Sequence, residues 1–291
     1  LINMEWINTI IQGVLLGGLY ALFATGLSLM FGIMRLVNIA HGDLIVLAAY
    51  VGLVVVETLG VHPVVGLIIV VPIMAGLGYL LQRALLNRTL GSDILPPLLV
   101  TFGLSIIIQN LLLEIFSADS RRINVGELDV ASITINDQIS IGVMPLIVLI
   151  LAILVIFALQ FLFYKTGLGR AFRATSDDQD IARLMGISNK HIFGLAMAVA
   201  MAVVAIAGVL LAMRTNFDPA IGPSRLLYGF EAVIIGGLGS LWGTLAGGLI
   251  LGISQAIGAK IDPGWQILMG HLMFLAILVV RPRGLFPRSV D

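Results

Sequence analysis

Nine apolar runs, at residues 6–31, 39–56, 64–81, 95–115, 143–163, 192–212, 226–238, 241–257 and 267–280, fill most of a 291-residue chain. Most of them match the ~20 apolar residues that cross a lipid bilayer, and so many exceed what one soluble core can bury. Only 11% of the residues are Asp, Glu, Lys or Arg and 59% are hydrophobic; an average soluble domain is about 25% charged. A soluble globular fold is excluded. The pattern predicts an all-α, polytopic transmembrane bundle of eight or nine segments, one membrane domain over residues 1–291. Runs 226–238 and 267–280 fall short of an ordinary span, so a broken or re-entrant helix is expected.

Sixteen Lys and Arg balance sixteen Asp and Glu, which removes the electrostatic case for a nucleic-acid partner. There is no cysteine, hence no disulfide, thiolate metal site or Cys nucleophile, and four scattered histidines form no metal constellation. The three lysines, Lys165, Lys190 and Lys260, never follow glycine, so no phosphate-binding loop is present. Residues 1–5 lack a basic signal-peptide region, and Met4 reads as a native start behind three extra residues.

Basic residues set orientation, because cytoplasmic loops near span ends collect Lys and Arg. Arg35, Arg83, Arg88, Lys165, Arg170, Arg173, Arg183, Lys190, Arg281, Arg283 and Arg288 fall on one side, 11 of the 16. This predicts a multi-pass protein with a cytoplasmic C-terminus. The outer loop 117–142 contains an alternating stretch at 133–141 that predicts a β-hairpin turning at Asn136-Asp137. It is either a cap over the span ends or a docking face for a soluble partner.

The inner loop 165–190 carries a helix signature. Ser176 and Gln179 form a capping-box pattern, acidic residues fill the first turn, and Gly186 can end the helix. Ile181, Leu184 and Met185 share one apolar face. That face either packs back onto the bundle or the membrane surface, or receives a cytoplasmic partner.

Asn38, His41, Gly42 and Asp43 head one apolar span, and Glu231 lies inside another. A carboxylate at the bilayer centre costs ~2.5–3.5 kcal/mol on insertion scales, so these groups either cap a helix or line a translocation path. The cluster Gly236, Gly237, Gly239 and Ser240 interrupts a span and predicts a hinge or gate. A two-fold pseudo-repeat is also expected: aligning residues 41–52 with 228–239 pairs Gly42 with Gly229, Val46 with Val233 and Gly52 with Gly239. Ser240 with His271 makes only a poor serine-protease candidate, since no Gly-x-Ser-x-Gly pattern is present.

Three ordered blocks carry a family resemblance. They are Gly13-Val-Leu-Leu-Gly-Gly-Leu-Tyr-Ala-Leu22 with Asn38-Ile-Ala-His-Gly-Asp43, then Thr166-Gly-Leu-Gly-Arg-Ala-Phe-Arg-Ala174 with Ala182-Arg-Leu-Met-Gly-Ile187, then Val233-Ile-Ile-Gly-Gly-Leu-Gly-Ser240. Together they resemble the H-type permease of branched-chain amino-acid ABC importers, over almost the whole chain. The resemblance implies a bacterial inner-membrane permease that is not itself an enzyme. Its expected partners are a second related permease, two ATPase subunits that hold ATP and magnesium, and a periplasmic substrate-binding protein. The resemblance also implies that a cytoplasmic helix seats in the ATPase, which maps onto Gly167, Gly169, Arg170, Arg173, Asp180, Ala182, Leu184 and Gly186. Glu231 departs from the family block, where a small or apolar residue is expected. Similar permeases carry urea, short amides or other small carboxylates, and an autonomous transporter or channel is the alternative outside the family.

Overall fold

The computed structural model describes residues 2–91, 93, 95–136 and 139–286, the first two by backbone alone. The chain is helical, with α1 (Ile2–Met34), α2 (His41–Leu59), α3 (Pro63–Ala84), α4 (Leu95–Phe116), α5 (Val143–Lys165), α6 (Gly167–Asp177) and α7 (Gln179–Leu184). There follow α8 (Asn189–Arg214), α9 (Gly222–Gly236), α10 (Leu241–Ile261) and α11 (Gln266–Val280). Among the described residues eight helical segments are long and apolar enough to span a membrane; α6, α7 and α9, with 11, 6 and 15 residues, fall short, and α11, also 15 residues, reaches span length only together with the 3-10 turn Pro263–Trp265 before it.

Strands β1 (Ser132–Asn136) and β2 (Ile139–Gly142) pair antiparallel as the predicted hairpin; Asp137 of the expected turn lies outside the described residues. Gln12 near the start of α1 donates to the Ser140 carbonyl at 2.7 Å, so α1 begins on the hairpin side. Ser176 donates to the Gly32 carbonyl at 2.7 Å, so α1 ends on the opposite side, where residues 165–190 lie. We call this the basic side.

Each of α1 and α8 is followed by an irregular segment that turns back into the bundle. After α1, residues 35–40 return until the His41 Nε2 atom lies 2.7 Å from the Phe23 carbonyl oxygen. Phe23 precedes the end of α1 at Met34 by about 16 Å of helix, so α2 starts deep inside the bundle. After α8, residues 215–221 do the same and deliver α9. Gly42 and Gly222, at the starts of the two helices, meet backbone to backbone.

The two returns are built alike. Asn38 Oδ1 accepts from the Ala40 N–H at 3.0 Å and its carbonyl from the His41 N–H at 3.2 Å. Asp218 Oδ1 accepts from Ala220 at 2.8 Å and its carbonyl from Ile221 at 3.4 Å. Backbone groups inside a bilayer must be satisfied within the protein, and a short Asx side chain closes such a turn. The internal repeat therefore relates Asn38-x-Ala-x-Gly42 to Asp218-x-Ala-x-Gly222. The expected pairing of Gly42 with Gly229 is out of register: Gly229 packs on Phe23 and Ala24, well into α9.

The remaining helices follow the same plan. Glycines let α1 and α10 cross closely: a methyl group at Gly17 would lie 2.6 Å from the Gly248 carbonyl oxygen. On the other half α8 packs on α3, where Gly194 faces Tyr79. The first half (α1–α4) and the second (α8–α11) thus form an inverted pair. The core lies along α1, α2 and α8; α3, α4, α5 and α11 present apolar side chains such as Ile68, Leu99, Phe157 and Leu275 to the surroundings.

Candidate functional site

Asn38, His41 and Asp43 are at most 1% exposed. Asn38 serves its own return turn, as above. The Phe23 carbonyl can only accept, so Nε2 of His41 carries the hydrogen and Nδ1 is left without a partner. The imidazole is wedged between α1 and α8, since a methyl group at Gly26 would meet the His41 ring at 2.9 Å and the Ala200 carbonyl oxygen at 3.3 Å.

Asp43 lies in the first turn of α2, where a carboxylate suits the exposed N–H groups. It accepts hydrogen bonds from Ser105 Oγ at 2.5 Å and Gln109 Nε2 at 2.9 Å, both on α4. Thr101, one turn before Ser105, accepts from the Ile39 N–H at 3.2 Å. One face of α4 therefore holds both the return segment and the head of α2.

Glu231 is 2% exposed on α9 and contacts His271 Nδ1 on α11. Each half-helix is thus fastened to the outer helix of its own half by a buried carboxylate. Glu231 Oε2 has no partner, and His271 is about one-third exposed. Removing one member of a fully buried pair costs ~3–5 kcal/mol; this partly open pair is worth less. Glu231→Gln is expected to lower the melting temperature of the detergent-solubilised permease and to alter uptake. An unchanged melting temperature and transport pH profile would reduce Glu231 to a tolerated residue.

The glycine cluster lies on the basic side. Gly236 ends α9, Gly237 and Gly239 have φ of +109° and +79°, and Ser240 caps α10 by accepting from Gly243 N–H at 3.1 Å. Leu285 and Phe286 donate to the carbonyls of Ile235 and Gly236, both at 2.9 Å, which holds the turn from one side. On the other, a methyl group at Gly32 would sit 3.2 Å from Gly239 Cα. Beside it a cavity of about 260 Å³ is lined by Ser28, Gly32, Gln160, Arg173, Gly239 and Ser240.

Arg173 leads to the helices of the basic-side loop. Residues 165–190 form two helices, not one. Ser176 is not an N-cap: it lies inside α6 and bonds Gly32, while Asp178 caps α7 through the N–H groups of Asp180 and Ile181, both at 2.9 Å. Aspartate caps as well as serine, and here it stands directly before the turn. Gly186 ends the segment at φ +83°. On α6, Gly169 packs against the carbonyls of Leu162 and Phe163, Arg173 donates to Phe163, and Gly167 and Arg170 are exposed. Ala182 is buried, whereas Ile181, Leu184 and Met185 are 60%, 86% and 78% exposed. The apolar face points away from the bundle.

Sequence reasoning missed Asp218, Ser105 and Gln109, and set His271 beside Ser240, whereas it contacts Glu231. Asp218 was open to discovery through the Asx-x-Ala-x-Gly spacing; the others become partners only when distant helices meet.

Two helices, α2 and the short α9, whose N-termini meet inside an inverted pair of helical halves, follow the plan of membrane transport proteins built from inverted repeats. The chain belongs to the family described as "Branched-chain amino acid transport system / permease component", whose profile matches residues 9–278. It is 28% identical to the high-affinity branched-chain amino acid transport system permease protein BraD of Pseudomonas aeruginosa, over 98% of this chain and 96% of that protein. Identity to LivH of Escherichia coli K12, which bears the same description, is also 28% over the same shares. A third relative, LivM of E. coli K12, is 28% identical over 50% of this chain and 34% of its own length.

Proposed function

We propose that this chain is one of two permease subunits of an ATP-driven ABC importer for branched-chain amino acids. The observation that carries this reading, beside family membership, is the solvent-facing apolar surface of α7. In water such a face is costly at about 25 cal/mol per Å² of apolar area, and it stands on the side holding most of the basic residues. An ATPase subunit docked there covers it. The similarity of half the chain to LivM supports a related second permease as the sister subunit.

The positive-inside rule then makes the basic side cytoplasmic and, with it, the C-terminus, in a bacterial inner membrane. The hairpin side faces the periplasm and the substrate-binding protein. ATP and magnesium belong to the ATPase subunits, so the chain is a transport subunit without catalysis of its own.

Force from the ATPase has a defined route. Arg173 ties α6 to the end of α5 and Ser176 ties it to the end of α1. The end of α1 abuts the Gly237–Gly239 turn, which joins α9 to α10. ATP binding that shifts α6 and α7 therefore acts on α9, whose far end meets α2 at Gly42. Asn38, His41, Gly42, Asp43 and Glu231 support the pathway by holding the half-helices, and Gly236, Gly237, Gly239 and Ser240 form the pivot.

Gentle extraction of the tagged chain from its native membrane, followed by mass spectrometry, tests the assembly. A sibling permease and two P-loop ATPase subunits are expected. Recovery of the chain alone, where other complexes survive, would favour an autonomous transporter or channel.

A further inference from the structure

An open cleft of about 450 Å³ lies where the first return segment, α4 and the first turns of α9 come together. It is lined by Val37, Ile39, Leu98, Leu226, Leu227 and Phe230, together with Pro223. Every lining side chain is apolar. Three kinds of occupant suit an apolar surface at membrane depth: lipid, a packed neighbouring helix, or an apolar guest.

Lipid is disfavoured by the backbone. Val37 and Ile39 belong to the irregular segment 35–40, and non-helical backbone at membrane depth is tolerated only within protein or beside an aqueous cavity. A packed helix is disfavoured by composition. Membrane helices meet through small residues, and the glycines of this chain do so at the α1–α10 and α2–α9 crossings, whereas Val, Ile, Leu and Phe around a recess leave a hole.

We propose that this cleft is the subsite for the branched aliphatic side chain of the transported amino acid, on the wall of the translocation path. The inference rests on the importer reading and deepens it by assigning selectivity residues to the permease. The cleft is built from both halves of the inverted pair, Val37 and Ile39 from one and Leu226, Leu227 and Phe230 from the other. Any motion of α9 relative to α2 therefore changes its shape, which couples release of the side chain to the conformational cycle.

The natural absence of cysteine makes the test direct. Ile39→Cys and Leu227→Cys are introduced singly, and the complete importer is reconstituted in proteoliposomes with its binding protein and ATP. Labelling of each cysteine by a small polar thiol reagent and by a lipid-soluble maleimide is read on this chain by mass spectrometry, with Leu275→Cys on α11 as the lipid-facing control. Both cleft cysteines are expected to react with the polar reagent, and leucine at ten times its half-saturating concentration slows this about tenfold by occupancy, while urea and acetamide do not. Reaction with the lipid-soluble reagent alone overturns the proposal in favour of a lipid face. Silence toward both reagents assigns the cleft to the sister permease, and reaction without leucine protection, or with equal protection by urea, also overturns it. Absence of ATP-driven leucine uptake by the wild-type complex would instead bring down the importer reading itself.

Discussion

Ile181→Asp is expected to abolish ATP-driven uptake while the permease still inserts and folds. The Ile181 side chain is 60% exposed, while α7 is held by Asp178, which accepts from the backbone N–H of Ile181, and by Ala182, which is 2% exposed. Its side chain instead belongs to the exposed face with Leu184 and Met185. Covering one such side chain contributes ~1.5–3 kcal/mol, and a carboxylate in the same interface adds a desolvation penalty. Docking of the ATPase should weaken about 100-fold for ~3 kcal/mol. The checks are uptake in cells, the amount of ATPase retained on the purified permease, and its melting temperature. Unchanged uptake would refute the docking assignment, and a collapsed melting temperature would show that the residue serves the fold.

Gly42→Val should produce the opposite pattern, a permease that does not assemble its own core. A Cβ at position 42 would overlap the Gly222 carbonyl and stand 2.8 Å from the Leu226 backbone nitrogen. Both are main-chain atoms at the meeting point of two helices, so no side-chain rotation relieves the clash. Overpacking within a core costs ~1–3 kcal/mol, and main-chain obstruction places this variant at the upper end or beyond. A large drop in yield and melting temperature is expected. Gly103→Ala, on α4 with open space around it, is the matched control and should be neutral or slightly stabilising, since alanine favours the helix by about 1 kcal/mol. A wild-type melting temperature for Gly42→Val would mean that the half-helices do not meet as described.

The membrane class, the spans and the α7 apolar face were legible because each depends on local periodicity. Of the two short runs, the one near Leu226 is α9, a continuous helix of 15 residues too short to span, whereas the one at 267–280 belongs to a helical segment that reaches span length. The repeat was legible too, but in a different place. In a chain with 33 glycines, glycine matches between apolar runs arise easily, which favoured the shifted pairing of Gly42 with Gly229. The true correspondence lies in capping chemistry, where Asn38 and Asp218 differ in name and perform the same hydrogen bonding. Ser176 misled for a related reason: three potential caps stand in a row at 176–178, and the structure uses the last. The partners of Asp43 and Glu231 were illegible because Gln109 and His271 lie 66 and 40 positions away, and nothing in local periodicity says which distant helices meet.

The return of residues 35–40 also constrains how the protein is made. When α1 and α2 leave the ribosome, Asn38 and His41 already have their hydrogen-bond partners in the return turn and in α1, whereas Asp43 enters the membrane region without the groups that later enclose it. Ser105 and Gln109 arrive with α4, but Gly222 is synthesised 180 residues after Gly42. Until then the head of α2 has no opposing helix, and bare hydrocarbon is a poor environment for it. In the first half alone, the head of α2 is covered by α1 and α4 but not yet by α9. The contact of α2 with α9 at Gly42 and Gly222 is therefore completed only after α9 has been synthesised, and a chain that stops before α9 lacks it.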